Sequence, residues 1–173
     1  ALISIPVVYS FGFSSISLLA MLFAWTLIAL TFIDLDHFLL PDKLTLPLLW
    51  AGLLINTQNI FTDLQSAVLG AAAGYLALWS IYWVFKFATG KEGMGHGDFK
   101  LLAALGAWMG ISALPMIILL SSISGVIIAL ILAAFKKQQL DNPIPFGPYL
   151  TIAGFISLLW GPTLNQLYLN LIL

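Results

Sequence analysis

The chain contains no cysteine and no arginine, and only 8% of its 173 residues are charged. Without cysteine it forms no disulfide and offers no thiol nucleophile or thiolate ligand for zinc. Its six basic residues are all lysines, and they form no extended basic run. Proteins that bind nucleic acid carry clustered positive charge. We therefore expect no thiol chemistry, no cysteine-ligated zinc and no nucleic-acid partner.

Apolar side chains take the place of the missing charge. They make up 61% of the chain, and the mean hydropathy is +1.06. Soluble domains carry roughly 25% charged residues, so this chain has too few charges to cover a water-exposed surface. We predict an all-α fold, a polytopic membrane helix bundle surrounded by lipid. Residues 1–173 are predicted to form one membrane-embedded domain. Because the chain starts without methionine or a signal peptide, we expect it to be a fragment of a longer protein.

Six apolar segments are candidates for membrane spans: 12–33, 44–55, 66–87, 99–110, about 116–135, and a last one from "PIPFGPYL" to about residue 160. The fourth segment is short for a span and resembles an interfacial helix in length. If it crosses, all six lysines lie on one face of the membrane, as the positive-inside rule favours. We therefore predict about six spans, with the lysines at the cytoplasmic face and both termini outside.

The third segment carries small residues at a helical spacing. Gly70 and Gly74 lie four residues apart, with three alanines between them. Small residues at this spacing allow two helix backbones to approach closely. The pattern predicts a tight helix–helix contact at this segment.

Two aspartates directly adjoin apolar segments. Asp34 follows the first segment, and Asp98 precedes the fourth, after the glycines of "GHGD". An acid in such a place often only marks where the hydrocarbon ends. However, two carboxylates about 3 Å apart share one proton near neutrality and can hydrolyse a peptide bond without a metal. The spacing alone leaves open whether Asp34 and Asp98 meet.

The same residues resemble a known family. "GHGD" fits the Gly-x-Gly-Asp (GxGD) motif of intramembrane-type aspartyl proteases, and "GKEGMGHGDFKLLAALGAWMG" resembles the corresponding run of bacterial type IV prepilin peptidases. "IDLDHFLLPDKLTLPLLWAGLL" is similar to that family's other signature, and "PIPFGPYL" resembles a third segment. The resemblance covers nearly the whole chain and implies a membrane aspartyl protease.

By this resemblance, the catalytic pair is Asp34 and Asp98. Asp36 and Asp42 are rivals of Asp34 for the first position. In a continuing helix Asp36 would face roughly 200° away from Asp34, and Asp42, which follows a proline, is predicted to cap the next helix. We therefore prefer Asp34.

Three further residues of the motif are candidates for binding substrate or shaping the loop. Gly95 and Gly97 would let an extended substrate backbone lie against the loop. Lys100, which the family's motif also carries, would orient Asp98 or hold substrate; the alternative is a cytoplasmic anchor. His37 and His96 lack a third partner in a metal-ligand pattern, so we predict no metal and no cofactor.

The resemblance also implies substrates and a place in the cell. An enzyme of this kind would remove the short basic leader of type IV prepilins and type II secretion pseudopilins at the cytoplasmic face of the bacterial inner membrane. The positive leader would be drawn to Asp36, Asp42 and Glu92. Family members typically also carry a zinc-binding domain with Cys-x-x-Cys motifs and N-methylate the new terminus. The chain lacks cysteine, so that domain is absent from it and methyl transfer is left open.

Two other classes of function remain as alternatives. A proton-coupled membrane transporter would relay protons through acids, but it predicts acids deep within the spans and discontinuous helices near the midplane. An assembly subunit predicts that neither aspartate matters for activity. The oligomeric state is not determined by the sequence.

Overall fold

The computed structural model describes residues 3–91, 93–134 and 145–172, and within these ranges the regular structure is helical, with no strand. Two single 3₁₀ turns, Asn56–Gln58 and Ile111–Ala113, follow α3 and α5. The predicted all-α helix bundle is confirmed. Its helices are α1 (Ser4–Phe11), α2 (Ser15–His37), α3 (Asp42–Ile55), α4 (Leu64–Thr89), α5 (His96–Met109), α6 (Leu114–Ala134) and α7 (Gly147–Ile172).

Three helical stretches of the described chain are long and apolar enough to cross a membrane: Ser15–His37, Leu64–Thr89 and Ile111–Leu132. The stretch Gly147–Gly161 of α7 is apolar but shorter. Helices α3 and α5 have 14 residues each, about 21 Å of helix. The count of six spans and their orientation therefore stay predictions.

Helix α2 continues one turn beyond its predicted end at residue 33. It begins at a capping box in which the side chains of Ser14 and Ser17 each accept a hydrogen bond from the other's backbone N–H. It ends at Phe38, whose left-handed backbone (φ 53°) stops the helix. Asp34 is therefore part of the last helical turn rather than of the loop after it.

Helix α5 is the centre of the bundle. It packs against α3, α4 and α7, and its residues from Asp98 to Trp108 are almost all buried. A helix on a membrane surface leaves one face uncovered by protein, whereas α5 is covered on almost all sides. This packing places residues 99–110 inside the bundle, and their crossing of the membrane stays a prediction.

Glycines on both helices bring α4 and α5 into backbone contact. A Cβ added at Gly70 would lie 2.5 Å from the carbonyl oxygen of Gly106, and one at Gly74 would lie 2.7 Å from that of Leu102. A Cβ at Gly106 would in turn overlap the backbone of Gly70. The predicted close approach at Gly70 and Gly74 is confirmed, and α5 is the partner helix.

A buried asparagine, Asn56, holds the C-terminal end of α5 in place through hydrogen bonds. The Asn56 side chain donates to the carbonyls of Ala107 (2.9 Å) and Trp108 (3.0 Å) and accepts from the N–H groups of Phe61 and Thr62. The Trp108 indole N–H donates to the carbonyl of Leu48 at 2.8 Å. Since no side-chain donor or acceptor of Asn56 is left unpaired, these bonds fix the end of α5 without a desolvation cost.

The glycine contact predicts how α4 and α5 respond to a single methyl group. Gly106→Ala places a methyl against the Gly70 backbone, which cannot move aside as a side chain can, so we expect a loss of about 1–3 kcal/mol of stability. Gly125→Ala is the matched control, because its Cβ would lie 3.4 Å from the Tyr149 ring, an ordinary contact, and alanine favours the helix. Thermal unfolding in detergent measures both, and equal melting temperatures would contradict the contact.

Candidate active site

Asp34 lies inside the bundle at the end of α2, with 5% of its surface exposed. Its backbone carbonyl accepts a hydrogen bond from the N–H of Phe38 at 2.9 Å, which closes the last turn. Beyond Phe38 the chain runs to Pro41, the N-cap of α3. The carboxylate therefore projects into the protein from the point where a membrane-length helix stops.

Asp98 enters the same region from the central helix. It is in the first turn of α5, three residues after the N-cap Gly95, and 5% of its surface is exposed. Phe99, the next residue, is fully buried. The N-terminus of a helix favours negative charge, but burial of α5 also takes this carboxylate out of water. The helix N-terminus thus favours the charged form of Asp98, whereas burial favours its protonated form.

The two carboxylates interact electrostatically. Burial raises the pKa of Asp98, the negative charge of Asp34 raises it further, and a hydrogen bond with the Gly95 backbone lowers it; the result is about 7. Asp98 lies in α5, outside the three membrane-length helices. Because its pKa is raised, Asp98 is largely protonated below neutral pH, and in that form it has a proton to donate.

A third element completes the surroundings of Asp34. The backbone N–H of Gly147, the first residue of α7, donates to Oδ2 of Asp34 at 3.0 Å. A Cβ at Gly147 would lie only 2.5 Å from the same oxygen, so only glycine lets α7 come this close. The N-terminus of α7 stabilises the negative charge of Asp34. Reasoning from the sequence missed Gly147, although its segment, "PIPFGPYL", was one of the three that carry the family resemblance.

The two glycines of "GHGD" have different neighbours. A Cβ at Gly97 would lie 2.7 Å from Cβ of Leu40, so the space beside Gly97 is filled by the protein's own chain. A Cβ at Gly95 would lie 3.5 Å from Oδ2 of Asp98, with nothing nearer, and Gly95 is exposed. Open space for an extended substrate therefore exists beside Gly95 and not beside Gly97.

Lys100 pairs with an acid other than Asp98. Its Nζ donates to Oδ1 of Asp42 at 2.6 Å, and this ion pair joins the N-terminal half of α5 to the first turn of α3. The prediction that Asp42 caps α3 is wrong. Pro41 holds the N-cap position, no side chain caps the helix there, and Asp42 is free to bind Lys100 because it lies one residue further along.

The remaining candidates lie on the surface. Asp36 and His37 are exposed, as is His96, whose ring lies 5.1 Å from that of Tyr82 and 5.4 Å from that of Phe99. Among the described residues no three His, Cys, Asp or Glu side chains come together as metal ligands. Glu92 lies outside the described residues. Besides Asp98, the described residues include five candidate acids and histidines: Asp34, Asp36, His37, Asp42 and His96. Of these five, only Asp34 is buried.

A buried carboxylate pair of this kind supports acid–base chemistry. One member can remain charged and take a proton from water while the other, protonated, gives one to a carbonyl oxygen. Asp34 with its N–H donor and Asp98 with its raised pKa fit these two states.

Known proteins resemble this chain over most of its length. The type IV leader peptidase family matches residues 21–130. The prepilin leader peptidase/N-methyltransferase of Aeromonas salmonicida (strain A449) is 60% identical over 157 residues, which are 91% of this chain and 54% of that protein. The proteins of the same name from Aeromonas hydrophila and Pseudomonas aeruginosa are 56% and 53% identical over 170 residues, 98% of this chain and 59% of each relative.

No solved structure matches the chain. It spans somewhat more than half the length of the curated relatives that it matches. The family match itself covers more than half of the chain and includes both Asp34 and Asp98. On these grounds the chain belongs to the type IV leader peptidase family.

Proposed function

We propose that this chain is a membrane aspartyl endopeptidase that removes the short basic leader of type IV prepilins and type II secretion pseudopilins. It would act at the cytoplasmic face of the bacterial inner membrane, with Asp34 and Asp98 as general base and general acid. The observation that supports the proposal is that two buried carboxylates, one at the end of α2 and one at the start of α5, interact electrostatically. Family membership and the printed name of the relatives supply the substrate class.

The proposed mechanism follows from the two protonation states. Asp34, charged and hydrogen-bonded by the Gly147 N–H, takes a proton from water as the water oxygen attacks the scissile carbonyl carbon. Asp98 gives its proton to the carbonyl oxygen. The resulting gem-diol then collapses: Asp34 gives its proton to the amide nitrogen, Asp98 takes a proton from one gem-diol hydroxyl, and the C–N bond breaks. The acid and the amine leave, and the pair returns to one proton on two carboxylates. The proposal covers peptide hydrolysis alone and not methyl transfer.

The surroundings of the pair suit a substrate that is basic on one side of the cut and apolar on the other. Asp36 is exposed two residues from Asp34, where it would attract a positive leader. Asp42 is already paired with Lys100, so it contributes less to this attraction than the sequence indicated. Beside Gly95 the loop is open, which leaves room for an extended backbone.

The transporter alternative gains no support from the described residues. Their acids all lie at helix ends or caps: Asp34, Asp36, Asp42, Asp63 and Asp98. A proton path would need acids deeper within the spans.

Replacing either carboxyl by an amide tests the catalytic assignment. In the whole protein, Asp34→Asn and Asp98→Asn keep the side-chain volume but remove the base or the acid. We expect each variant to cleave a prepilin about 100-fold to 10,000-fold more slowly, the usual contribution of general acid–base catalysis. Cleavage is followed in detergent or membranes by the change in mass of the prepilin.

Asp63→Asn is the matched control. Asp63 is the N-cap of α4, and its Oδ1 accepts from the N–H of Ser66 at 2.8 Å; asparagine caps a helix as well. We expect activity within a factor of two of the parent protein. Full activity in a folded Asp34→Asn or Asp98→Asn variant would contradict the assignment and favour the assembly-subunit alternative.

The raised pKa of Asp98 predicts how the rate depends on pH. The acid must be protonated, and its pKa of about 7 means that the protonated form predominates below that pH and is lost above it. We expect kcat/KM, which reports the free enzyme, to fall about tenfold per pH unit on the alkaline side of about pH 7. A kcat/KM that stays flat across neutrality would show that Asp98 is not the proton donor.

A further inference from the structure

The turn between α2 and α3 directs one leucine into the protein. Leu40 is 4% exposed, whereas its neighbours Phe38 and Leu39 are 57% and 60% exposed. Pro41 follows at the N-cap of α3 and fixes the direction of the chain. The turn thus exposes two large apolar side chains and buries the third, which points to a specific contact for Leu40.

Leu40 occupies the space that two glycines leave open. A Cβ at Gly97 would lie 2.7 Å from Cβ and 3.2 Å from the carbonyl oxygen of Leu40. A Cβ at Gly147 would lie 3.2 Å from Cδ2 of Leu40. Any larger residue at Gly97 would displace Leu40, and α5 and α7 would no longer close on it from both sides.

Each of these glycines adjoins one of the two carboxylates. Gly97 is the residue before Asp98, and Gly147 is the residue whose N–H binds Asp34. Leu40 therefore contacts the backbone beside both members of the pair. Because Asp34 and Asp98 are on different helices, their separation depends on how α5 and α7 pack against Leu40, just after the end of α2.

The Asp42–Lys100 ion pair is a second connection between the turn and α5. The Lys100 side chain is 29% exposed and that of Asp42 is 56% exposed. Exposed ion pairs contribute only about 0–1 kcal/mol. The buried Leu40 contact is thus the stronger determinant of where α5 begins relative to the end of α2.

We propose that Leu40 is a positioning residue, whose side chain, held between Gly97 and Gly147, sets the separation of the Asp34 and Asp98 carboxylates and keeps water from entering between them. Its effect on catalysis rests on the proposed function. Its effect on the geometry of the pair does not.

Truncation of Leu40 tests its role in the reaction. We expect Leu40→Ala to lower kcat for prepilin cleavage about tenfold to 100-fold, the effect of a small misplacement of catalytic groups, with KM nearly unchanged. Leu40→Met conserves the volume and should restore most of the rate. The control is Leu39→Ala, the same change at the exposed neighbour, which should leave kcat unchanged.

A second readout is independent of cleavage. Infrared difference spectroscopy in detergent follows the protonated carboxyl band of Asp98, identified by its loss in Asp98→Asn. The parent protein should titrate near pH 7. In Leu40→Ala, water entry and a larger separation from Asp34 should move the midpoint down by about one pH unit or more. The elements around α5 carry further titratable groups: Asp36 and His37 of α2, Asp42 and Lys43 of α3, Tyr75, Tyr82 and Lys86 of α4, and Tyr149 of α7, with His96 and Lys100 on α5 itself. None of them is replaced in the variant.

Leu40→Ile supports the test if Leu40→Ala does not fold. It keeps the volume and moves one methyl group, so it should fold and show a smaller change in both kcat and midpoint. A folded Leu40→Ala or Leu40→Ile protein with the parent's kcat and midpoint would overturn the proposal, as would an equal effect of Leu39→Ala. If the parent protein cleaves no prepilin, the proposed function fails, while the titration still decides whether Leu40 positions the pair.

Discussion

Repulsion between two buried negative charges is the constraint on which the site depends. Asp34 and Asp98 are both almost completely buried, and two ionised carboxylates at close range out of water would cost several kcal/mol of stability. Burial raises the pKa of Asp98, and the charge of Asp34 raises it further, to about 7. A proton held by the pair therefore removes most of this cost. Under the proposed function, this is also the proton that the acid catalyst donates.

Three helix ends converge on the pair, and a glycine permits each of two close approaches among them. Gly147 lets the N-terminus of α7 reach Asp34, and Gly97 lets α5 close on Leu40. Further along α5, Gly106 lets the helix backbone contact α4. The bonds of Asn56 secure the far end of the helix. Contacts along the whole of α5 thus fix its first turn, since a short helix that is held on every side can neither tilt nor slide.

The sequence predicted the helical class and the close contact of Gly70 and Gly74, because both depend on local composition and spacing. It also singled out Asp34 and Asp98, since an acid beside an apolar segment is visible in the sequence. It did not reveal Gly147, which is 113 residues from Asp34, nor the contact of Leu40 with Gly97. Contacts between residues so distant along the chain depend on how the helices are arranged, and no local pattern encodes that arrangement.

The same arrangement decides from which side a substrate can reach the pair. Leu40 contacts Gly97 of α5 and Gly147 of α7, the N-terminus of α7 binds Asp34, and both aspartates are buried. At the edge of this closed region Asp36 of α2 and Gly95 and His96 of α5 remain exposed. Under the proposed function, a substrate would approach where the "GHGD" loop is open beside Gly95. On the same proposal, the exposed carboxylate of Asp36, two residues from Asp34, would attract the positive charge of the leader.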